Sequence, residues 1–580
     1  MTQTLDIETK RNVDVWLEGE IDASVKEQIY RQLDEDPKGV VDAFYTKLAF
    51  GTGGLRGVMG IGSNRMNLYT VQMATQGLAN YIKAHPAEGK SGVLIGYDSR
   101  RHSRAFAEMA ARVLLGNEIP VFLCQELRPT PFVSFGCREK KCQAAIMITA
   151  SHNPPEYNGY KVYWDDGGQV LPPHDLGIIA EVNQIANFSQ VIVSQTFENH
   201  PLLKWITPLD DEKYLRAITP LQHYPEVNRQ EGNKLKVVYT SLHGTGITLV
   251  PRALAKWGFT NVLLVEDQVI PDADFPTCPY PNPEDPAALK LGIEVLLKQG
   301  GDLLIATDPD ADRVGIAVKH QGEVQLLTGN QVACLCVWHV CHALTEQGRM
   351  PDNSAFVKTI VTSELFRTIV EAHGKTCVDV LTGFKYIAEV IRNWEEAPDG
   401  LQYLFGGEES YGYLLGTHAR DKDAVVVSAL LCEMALQAKR EGITLVDRLH
   451  QLYAKYGTFV EKLHSLNFPE SKAGKEQMTA GMTKLREKAP QTLANIPIVA
   501  IDDYLTATHT NCQTGEMTPI TLPKSNVLAF WLEDNTKIMI RPSGTEPKIK
   551  IYCGVKSTSL EAGEAHAHVV IQSVVTLFDK

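Results

Sequence analysis

Strand-length apolar runs alternate with helix-length amphipathic segments through the first three quarters of the chain, and this order limits the possible folds severely. Residues 93–97 read as a strand, 103–115 as a helix and 121–123 as a strand. The order returns at 236–240, 246–257, 262–265, 286–298 and 303–306, and again at 355–360, 363–373, 376–380 and 383–392. Strands separated by helices pair most simply in parallel with the helices packed on the sheet, so the pattern predicts α/β units. Turn residues clustered at 201–208 and 324–329 predict breaks between them. After Gly457 come a strand-like run, a polar helix over 471–488, strands at 527–532 and 537–540, and a closing helix over 559–577, which predicts a smaller α+β domain. At roughly 150 residues per domain, 580 residues give about four domains.

Charge and cysteine usage exclude several functions. A net charge of −13 argues against a general nucleic-acid binder, so an anionic ligand needs its own local positive field. Residues 1–17 lack the apolar core of a signal peptide, and no run of about 18 apolar residues is present. These features predict a cytoplasmic protein with no membrane partner. Eleven irregularly spaced cysteines predict free thiols in a reducing compartment. Cys334, Cys336, His339, Cys341 and His342 crowd one segment, yet on a helix they point around several faces and read better as buried small side chains than as a zinc site.

The chemistry is concentrated in loops. Thr149-Ala150-Ser151-His152-Asn153-Pro154-Pro155 follows the apolar run 144–148, and its Asn and prolines close a rigid turn that presents the Ser151 hydroxyl. His152 and Lys161 can supply proton chemistry and positive charge. Thr307-Asp308-Pro309-Asp310-Ala311-Asp312-Arg313 follows a second apolar strand. In an extended segment its carboxylates point to one side, where they repel unless a cation neutralises them, and hard oxygens suit Mg²⁺. A calcium loop is excluded because Arg313 and Lys319 stand where Gly and Glu are needed. The strand-Asp-x-Asp order also resembles the nucleophile loop of haloacid-dehalogenase-like phosphatases, in which Asp308 would be phosphorylated.

Gly406-Gly407-Glu408-Glu409-Ser410-Tyr411-Gly412 sets carboxylates beside a hydroxyl, which suits the vicinal diols of a sugar. The run His418-Ala419-Arg420-Asp421-Lys422-Asp423 reads as a charged, solvated helix start. In Arg541-Pro542-Ser543-Gly544-Thr545-Glu546-Pro547, glycine lets backbone amides converge on an anion while Arg541 offers a planar fork to phosphate oxygens. Phe50-Gly51-Thr52-Gly53-Gly54-Leu55-Arg56-Gly57 is glycine-rich with one arginine, and matches neither a P-loop nor a dinucleotide fingerprint. Nucleophile, cation loop, hydroxyl clamp and remote phosphate cradle together describe phosphoryl transfer on a sugar phosphate.

The segments TASHNPPEYNGYKVYW, TDPDADR, GGEESYGY and RPSGTEP, in this order and preceded by FGTGGLRG, resemble the α-D-phosphohexomutase superfamily from about Phe44 to the end. The wording around Ser151 is similar to its bacterial α-phosphoglucomutase branch, itself similar to the animal phosphopentomutase and glucose-1,6-bisphosphate synthase branch. The resemblance implies a four-domain heart-shaped α/β architecture of three related α/β domains and a smaller α+β C-terminal domain, here divided at 1–205, 206–325, 326–457 and 458–580. It implies a phosphorylated Ser151, with Mg²⁺ held by Asp308, Asp310, Asp312 and the phosphoserine, and glucose 1,6-bisphosphate as intermediate and activator. Lys161 and His152 become candidates for proton transfer or charge stabilisation, Arg313 a neighbour of the metal, and Arg56 a partner of the reacting phosphate. Glu408 and Ser410 would hold sugar hydroxyls, Thr382 and Gly383 would shape substrate choice, and Arg541, Ser543, Gly544 and Thr545 would hold the distal phosphate. The implied partners are small sugar phosphates, with the chain a monomer or weak dimer. Some family members carry a histidine in a Gly-Glu-Met-Ser-Gly-His pattern, absent here, which leaves His418 or Lys422 as substitutes. Glucose, mannose and pentose phosphates all remain open as substrates.

Overall fold

The computed structural model describes residues 5–50, 54–469, 472–543 and 548–578. They form two compact units. One comprises Met1–Thr328, Ile387–Phe405 and Ser410–Thr444, and the other Gly329–Tyr386, Gly406–Glu409 and Leu445–Lys580.

The first unit holds two mixed sheets. In one, the strand order is Gly54–Val58, Tyr157–Trp164, Ala144–Ile148, Val93–Tyr97, Val121–Cys124 and Leu203–Ile206. The last four run parallel and Tyr157–Trp164 antiparallel to both its neighbours. In the other, Val262–Leu264, Val237–Thr240 and Leu303–Thr307 run parallel, and Val314–His320 returns antiparallel between Leu303–Thr307 and Glu323–Leu327. Ala144–Ile148 and Leu303–Thr307 are buried at every position, which explains why each reads as a continuous apolar run without alternation. The serine loop and the acidic loop therefore occupy equivalent places, each joining a central parallel strand to an antiparallel return strand.

Three sequence readings change here. The helix expected over 246–257 is a 3₁₀ turn, Thr245–Thr248, followed by the α-helix Val250–Lys256 with Pro251 in its first turn, where a missing N–H costs nothing. The break expected at 201–208 contains the strand Leu203–Ile206, paired in parallel with Val121–Cys124. The run 418–423 is not solvated: Arg420, Asp421 and Asp423 are buried, and Asp423 Oδ1 caps the helix Ala424–Arg440 by accepting from the amides of Val425 and Val426. Three helices, Ile7–Glu18, Ala23–Glu35 and Pro37–Phe44, precede the first sheet. Trp16 anchors them edge-on to Phe44, Tyr69 and Phe188 at 5.4–5.7 Å.

The second unit contains the parallel pair Ser354–Thr359 and Thr376–Val380 and the helix Gly329–Glu346. On that helix Cys334, Cys336 and Cys341 are buried free thiols, pushed far up from their ordinary pKa by burial. A meandering antiparallel sheet follows, in the order Thr458–Asn467, Lys548–Ser557, Lys537–Pro542, Leu528–Leu532, Ile496–Asp503, Thr508–Asn511 and Met517–Pro519. Its core packs Phe530, Ile540 and Ile551 against Ala567, Val570 and Val574 of the helix Leu560–Phe578.

Ile360, Val361 and Leu381 form a second cluster with Met539 and Tyr552 of that sheet and with Tyr504, just past its strand Ile496–Asp503. Beside it Lys537 Nζ reaches Glu364 Oε1 at 3.0 Å, and Lys358 Nζ reaches Glu364 and Asp379 at 3.1 Å. Glu461 accepts from the Ser363 hydroxyl, and burial lifts its carboxyl to about 7. A carboxyl that titrates near 4.5 when unfolded and near 7 when folded binds more protons in the folded state between those values, so stability falls as pH rises through that window. The span corresponds to about 3 kcal/mol. Glu461→Gln, which keeps the acceptor oxygen, is expected to raise the urea midpoint at pH 8 and leave it unchanged near pH 4. Equal midpoints at pH 8 would contradict the raised Glu461 carboxyl.

Candidate active site

Ser151 lies in a tight turn after Ala144–Ile148. Its amide donates to Thr149 Oγ1 at 2.8 Å, and the Asn153 amide donates to the Ala150 carbonyl at 3.1 Å. Its φ of +52° is a left-handed conformation that a side chain disfavours and that persists only where the surroundings enforce it. Arg100 enforces it. This buried guanidinium donates to the carbonyls of Pro154 (2.7 Å), Tyr157 (3.1 Å), Ser151 (2.5 Å) and Asn153, and Asp98 balances its charge at 3.3 Å. The Ser151 hydroxyl donates to Asp308 Oδ2 at 2.8 Å and lies 3.1 Å from His152 Nδ1. Enclosure, then the cations Arg313 and Arg56, hold the His152 imidazole well below its ordinary range, so it is neutral. Arg56, exposed on Gly54–Val58, donates to Asn153 Oδ1 at 3.2 Å.

The acidic loop is a turn and not the extended segment the sequence reading assumed. The Ala311 amide donates to the Asp308 carbonyl at 2.9 Å, and Ala311 takes φ +51°. The turn, rather than strand alternation, gathers the carboxylates: one oxygen each of Asp308, Asp310 and Asp312 lies within 4.8 Å of the others, all buried. Gly244 permits this packing, because a Cβ there would meet the Pro309 Cα at 2.3 Å. The amides of Asp312 and Arg313 donate to Asp308 Oδ1 at 3.1 and 3.0 Å. Lys161 Nζ reaches Asp310 Oδ2 at 2.8 Å and Asp312 Oδ2 at 3.2 Å, and Lys422 Nζ reaches Asp312 Oδ2 at 3.1 Å.

Among the described residues Asp310 Oδ1 and Asp312 Oδ1 are buried without a hydrogen-bond partner. Three buried carboxylates with two bare oxygens are a donor set that fits a small hard cation. Burial, then Asp310 and Asp312, pushes the Asp308 carboxyl well above its ordinary range. For Asp312 burial pushes up, but Lys422, Lys161 and Arg313 outweigh it and hold the group far down. Burial lowers Lys161, and Asp310 and Asp312 more than restore it, so it stays protonated. Arg313 Nη1 pairs with Glu284 at 2.9 Å.

Lys422 also pairs with Asp421 at 2.9 Å. His418, by contrast, is bound at 2.6 Å to the helix-capping Asp423, which also accepts from Tyr214. Of the two substitutes considered for the missing histidine, only Lys422 adjoins the acidic loop. In the second unit Glu408 Oε1 accepts from the Gly383 amide at 3.0 Å, and the adjacent Thr382 hydroxyl is buried without a partner among the described residues. Glu409 accepts from Thr359 Oγ1 at 3.2 Å and is lifted to about 7 by burial and then by Glu408. Arg541 and Ser543 close the hairpin opposite Lys548–Ser557, the Ser543 amide donating to the Lys548 carbonyl at 2.8 Å. Gly544 and Thr545 lie outside the described residues, as do Gly51, Thr52 and Gly53. Ser410 falls in the first unit, half-buried. Sequence reasoning missed Arg100, whose four carbonyl partners come from a loop about 50 residues away. Its one local signal is the Asp98-Ser99-Arg100 run at the end of an apolar strand.

Mixed α/β sheets that set a buried serine against a carboxylate cluster fitted to a cation are an arrangement suited to a metal-assisted α/β enzyme. Models of the phosphoglucomutase/phosphomannomutase α/β/α domains match this chain in order: domain I at residues 47–188, domain II at 212–322 and domain III at 328–456. A phosphoglucomutase of Staphylococcus epidermidis (strain ATCC 35984) is 36% identical over 542 residues, 93% of this chain and 95% of its own. One from Staphylococcus aureus (strain USA300) is 36% identical over 550 residues, 94% and 96% of the two chains. Among solved structures, a phosphoglucomutase/phosphomannomutase family protein of Burkholderia thailandensis is 17% identical with a TM-score of 0.66, covering 92% of this chain and 98% of that one. The open form of parafusin, a phosphoglucomutase from Paramecium, gives 17%, 0.66, 92% and 95%. At that identity the two structures share the fold. The chain belongs to the phosphoglucomutase/phosphomannomutase family and is an enzyme of the mutase class. The expected superfamily is borne out, as is the fold class of three α/β domains followed by a β-rich C-terminal region. Among the described residues no helix is long and apolar enough to cross a membrane.

Proposed function

We propose that the chain interconverts glucose 1-phosphate and glucose 6-phosphate, with Ser151 carrying the transferred phosphoryl group and glucose 1,6-bisphosphate as the intermediate. The observation that carries this reading is the Ser151 hydroxyl 2.8 Å from Asp308 Oδ2, within the buried carboxylate cluster. The same bond weighs against Asp308 as a phosphatase-type nucleophile, since both its oxygens are engaged. Mg²⁺, held by Asp308, Asp310, Asp312 and the phosphorylated Ser151, would neutralise charge on the phosphoryl group in transit.

The chain's own residues divide the remaining tasks. Neutral His152 accepts the Ser151 proton when the hydroxyl takes a phosphoryl group, and returns it when that group leaves. Protonated Lys161 offsets the acidic cluster and stands ready to donate, and Lys422 pairs with Asp312 beside it. Arg56 faces the reacting phosphate, and Arg313 stands beside the cation. Glu408, Ser410, Thr382 and Gly383 are assigned to the sugar, and Arg541, Ser543, Gly544 and Thr545 to its other phosphate, since fixing both ends of a substrate orients its acceptor hydroxyl. The four-domain division, a cytoplasmic location and a monomeric or weakly dimeric state belong to the same proposal.

A coupled assay for glucose 6-phosphate, with Mg²⁺ and a trace of glucose 1,6-bisphosphate, tests it. Turnover is expected to fall to background after EDTA treatment and to return with Mg²⁺. A rate indifferent to chelation would sink the metal assignment. A higher kcat/KM for ribose or mannose phosphates would move the substrate and keep the mechanism.

A further inference from the structure

Asp310 is held by a residue that none of the four motif loops contains. Thr130, wholly buried, begins the helix Thr130–Glu139. Its amide donates to the Asp310 carbonyl at 2.8 Å, and its hydroxyl donates to Asp310 Oδ2 at 2.7 Å. Lys161 Nζ donates to the same Oδ2. Two donors on one oxygen fix the plane of the carboxylate, and the other oxygen, Oδ1, is the buried one without a partner among the described residues.

The two donors differ in kind. Lys161 is a long, charged side chain shared between Asp310 and Asp312. Thr130 is short, β-branched and stiff about χ1, and its backbone is bonded to the residue its hydroxyl orients. Its corner is itself anchored, since the Arg128 amide donates to the Tyr97 carbonyl at 3.1 Å and Arg128 Nε to Asp211 Oδ1 at 2.9 Å. A neutral donor on a fixed backbone supplies orientation, with no net charge.

We infer that Thr130 is a positioning residue for the divalent-cation site: its hydroxyl holds Asp310 Oδ2 so that Oδ1 is presented to the ion. The inference rests on the reading that Asp308, Asp310 and Asp312 hold the cation. Outer-shell donors of this kind typically contribute about 10- to 100-fold to metal affinity.

The test is Mn²⁺ binding to the full chain, followed by the electron paramagnetic resonance of free Mn²⁺, for wild type, Thr130→Val and Thr130→Ser. Valine keeps the shape and the backbone bond and removes only the donor. Wild type is expected to bind one Mn²⁺, Thr130→Val about ten-fold or more weakly, and Thr130→Ser within about two-fold of wild type. In turnover, the Mg²⁺ concentration for half-maximal rate is expected to rise in Thr130→Val while the KM for sugar phosphate stays put. Should Thr130→Val fail to fold, Thr130→Ala against Thr130→Ser isolates the same hydroxyl. Wild-type Mn²⁺ affinity in the hydroxyl-free variants would overturn the inference, as would equal weakening in Thr130→Ser. A wild-type protein that takes up no Mn²⁺ would instead overturn the reading of the acidic cluster, and the inference with it.

Discussion

Ser151→Ala is expected to lower the turnover of glucose 1-phosphate by on the order of 10⁴-fold or more, because it removes the group that carries the phosphoryl through the reaction. The backbone has little reason to change. Alanine meets the same steric cost as serine at φ +52°, and the loop is held by Arg100 through main-chain carbonyls that the substitution leaves in place. Thermal unfolding should therefore stay close to wild type while activity disappears. Mass spectrometry supplies the second reading: the peptide containing Ser151 should carry phosphate in wild type after incubation with glucose 1,6-bisphosphate, and no phosphate in the variant. A Ser151→Ala protein turning over at near-normal rate would remove the covalent mechanism altogether. Phosphate that is labile to hydroxylamine would point to a carboxylate instead.

Which parts of this site could be read from sequence follows from how local each signal is. Leu303–Thr307 and Ala144–Ile148 were legible because a strand buried on both faces needs an unbroken apolar run. The identity of the acidic loop was legible from three aspartates at alternate positions, but its geometry was not. The extended reading failed because Ala311 turns left-handed, a conformation that nothing in its residue type announces. The antiparallel returns Tyr157–Trp164 and Val314–His320 were equally hidden. Their loops carry no Asn-Gly or Asp-Gly hairpin signal, so the alternating pattern suggested parallel crossovers alone. The run 418–423 looked solvated because its partners are far off in sequence: Tyr163 reaches Asp421, Tyr214 reaches Asp423, and Asp312 meets Lys422. Thr130 and Asp310 are separated by 180 positions. Residues that orient a site act through such tertiary contacts, so composition and spacing carry no trace of them.

Arg100→Gln is expected to have the largest effect on stability of any single change near the site. Arg100 is 3% exposed and Asp98 2%. Removing one member of a buried ion pair leaves the other charged and unsolvated, at about 3–5 kcal/mol. Against a total stability of about 5–15 kcal/mol, a loss of that size shows directly in the urea midpoint and in soluble yield. Four carbonyls, those of Ser151, Asn153, Pro154 and Tyr157, also lose their donor. Arg100→Lys separates charge from shape. Lysine keeps the pairing with Asp98, but its three donors radiate from one nitrogen and cannot span the carbonyls that a planar five-donor fork reaches. The lysine variant is thus expected to recover much of the stability and little of the rate, with kcat lowered and KM nearly unchanged, because the loop can relax from the left-handed turn that places the Ser151 hydroxyl against Asp308. A wild-type urea midpoint in Arg100→Gln would show that the loop is held by other means. A wild-type kcat in Arg100→Lys would show that charge alone, without the fork, suffices to place the nucleophile.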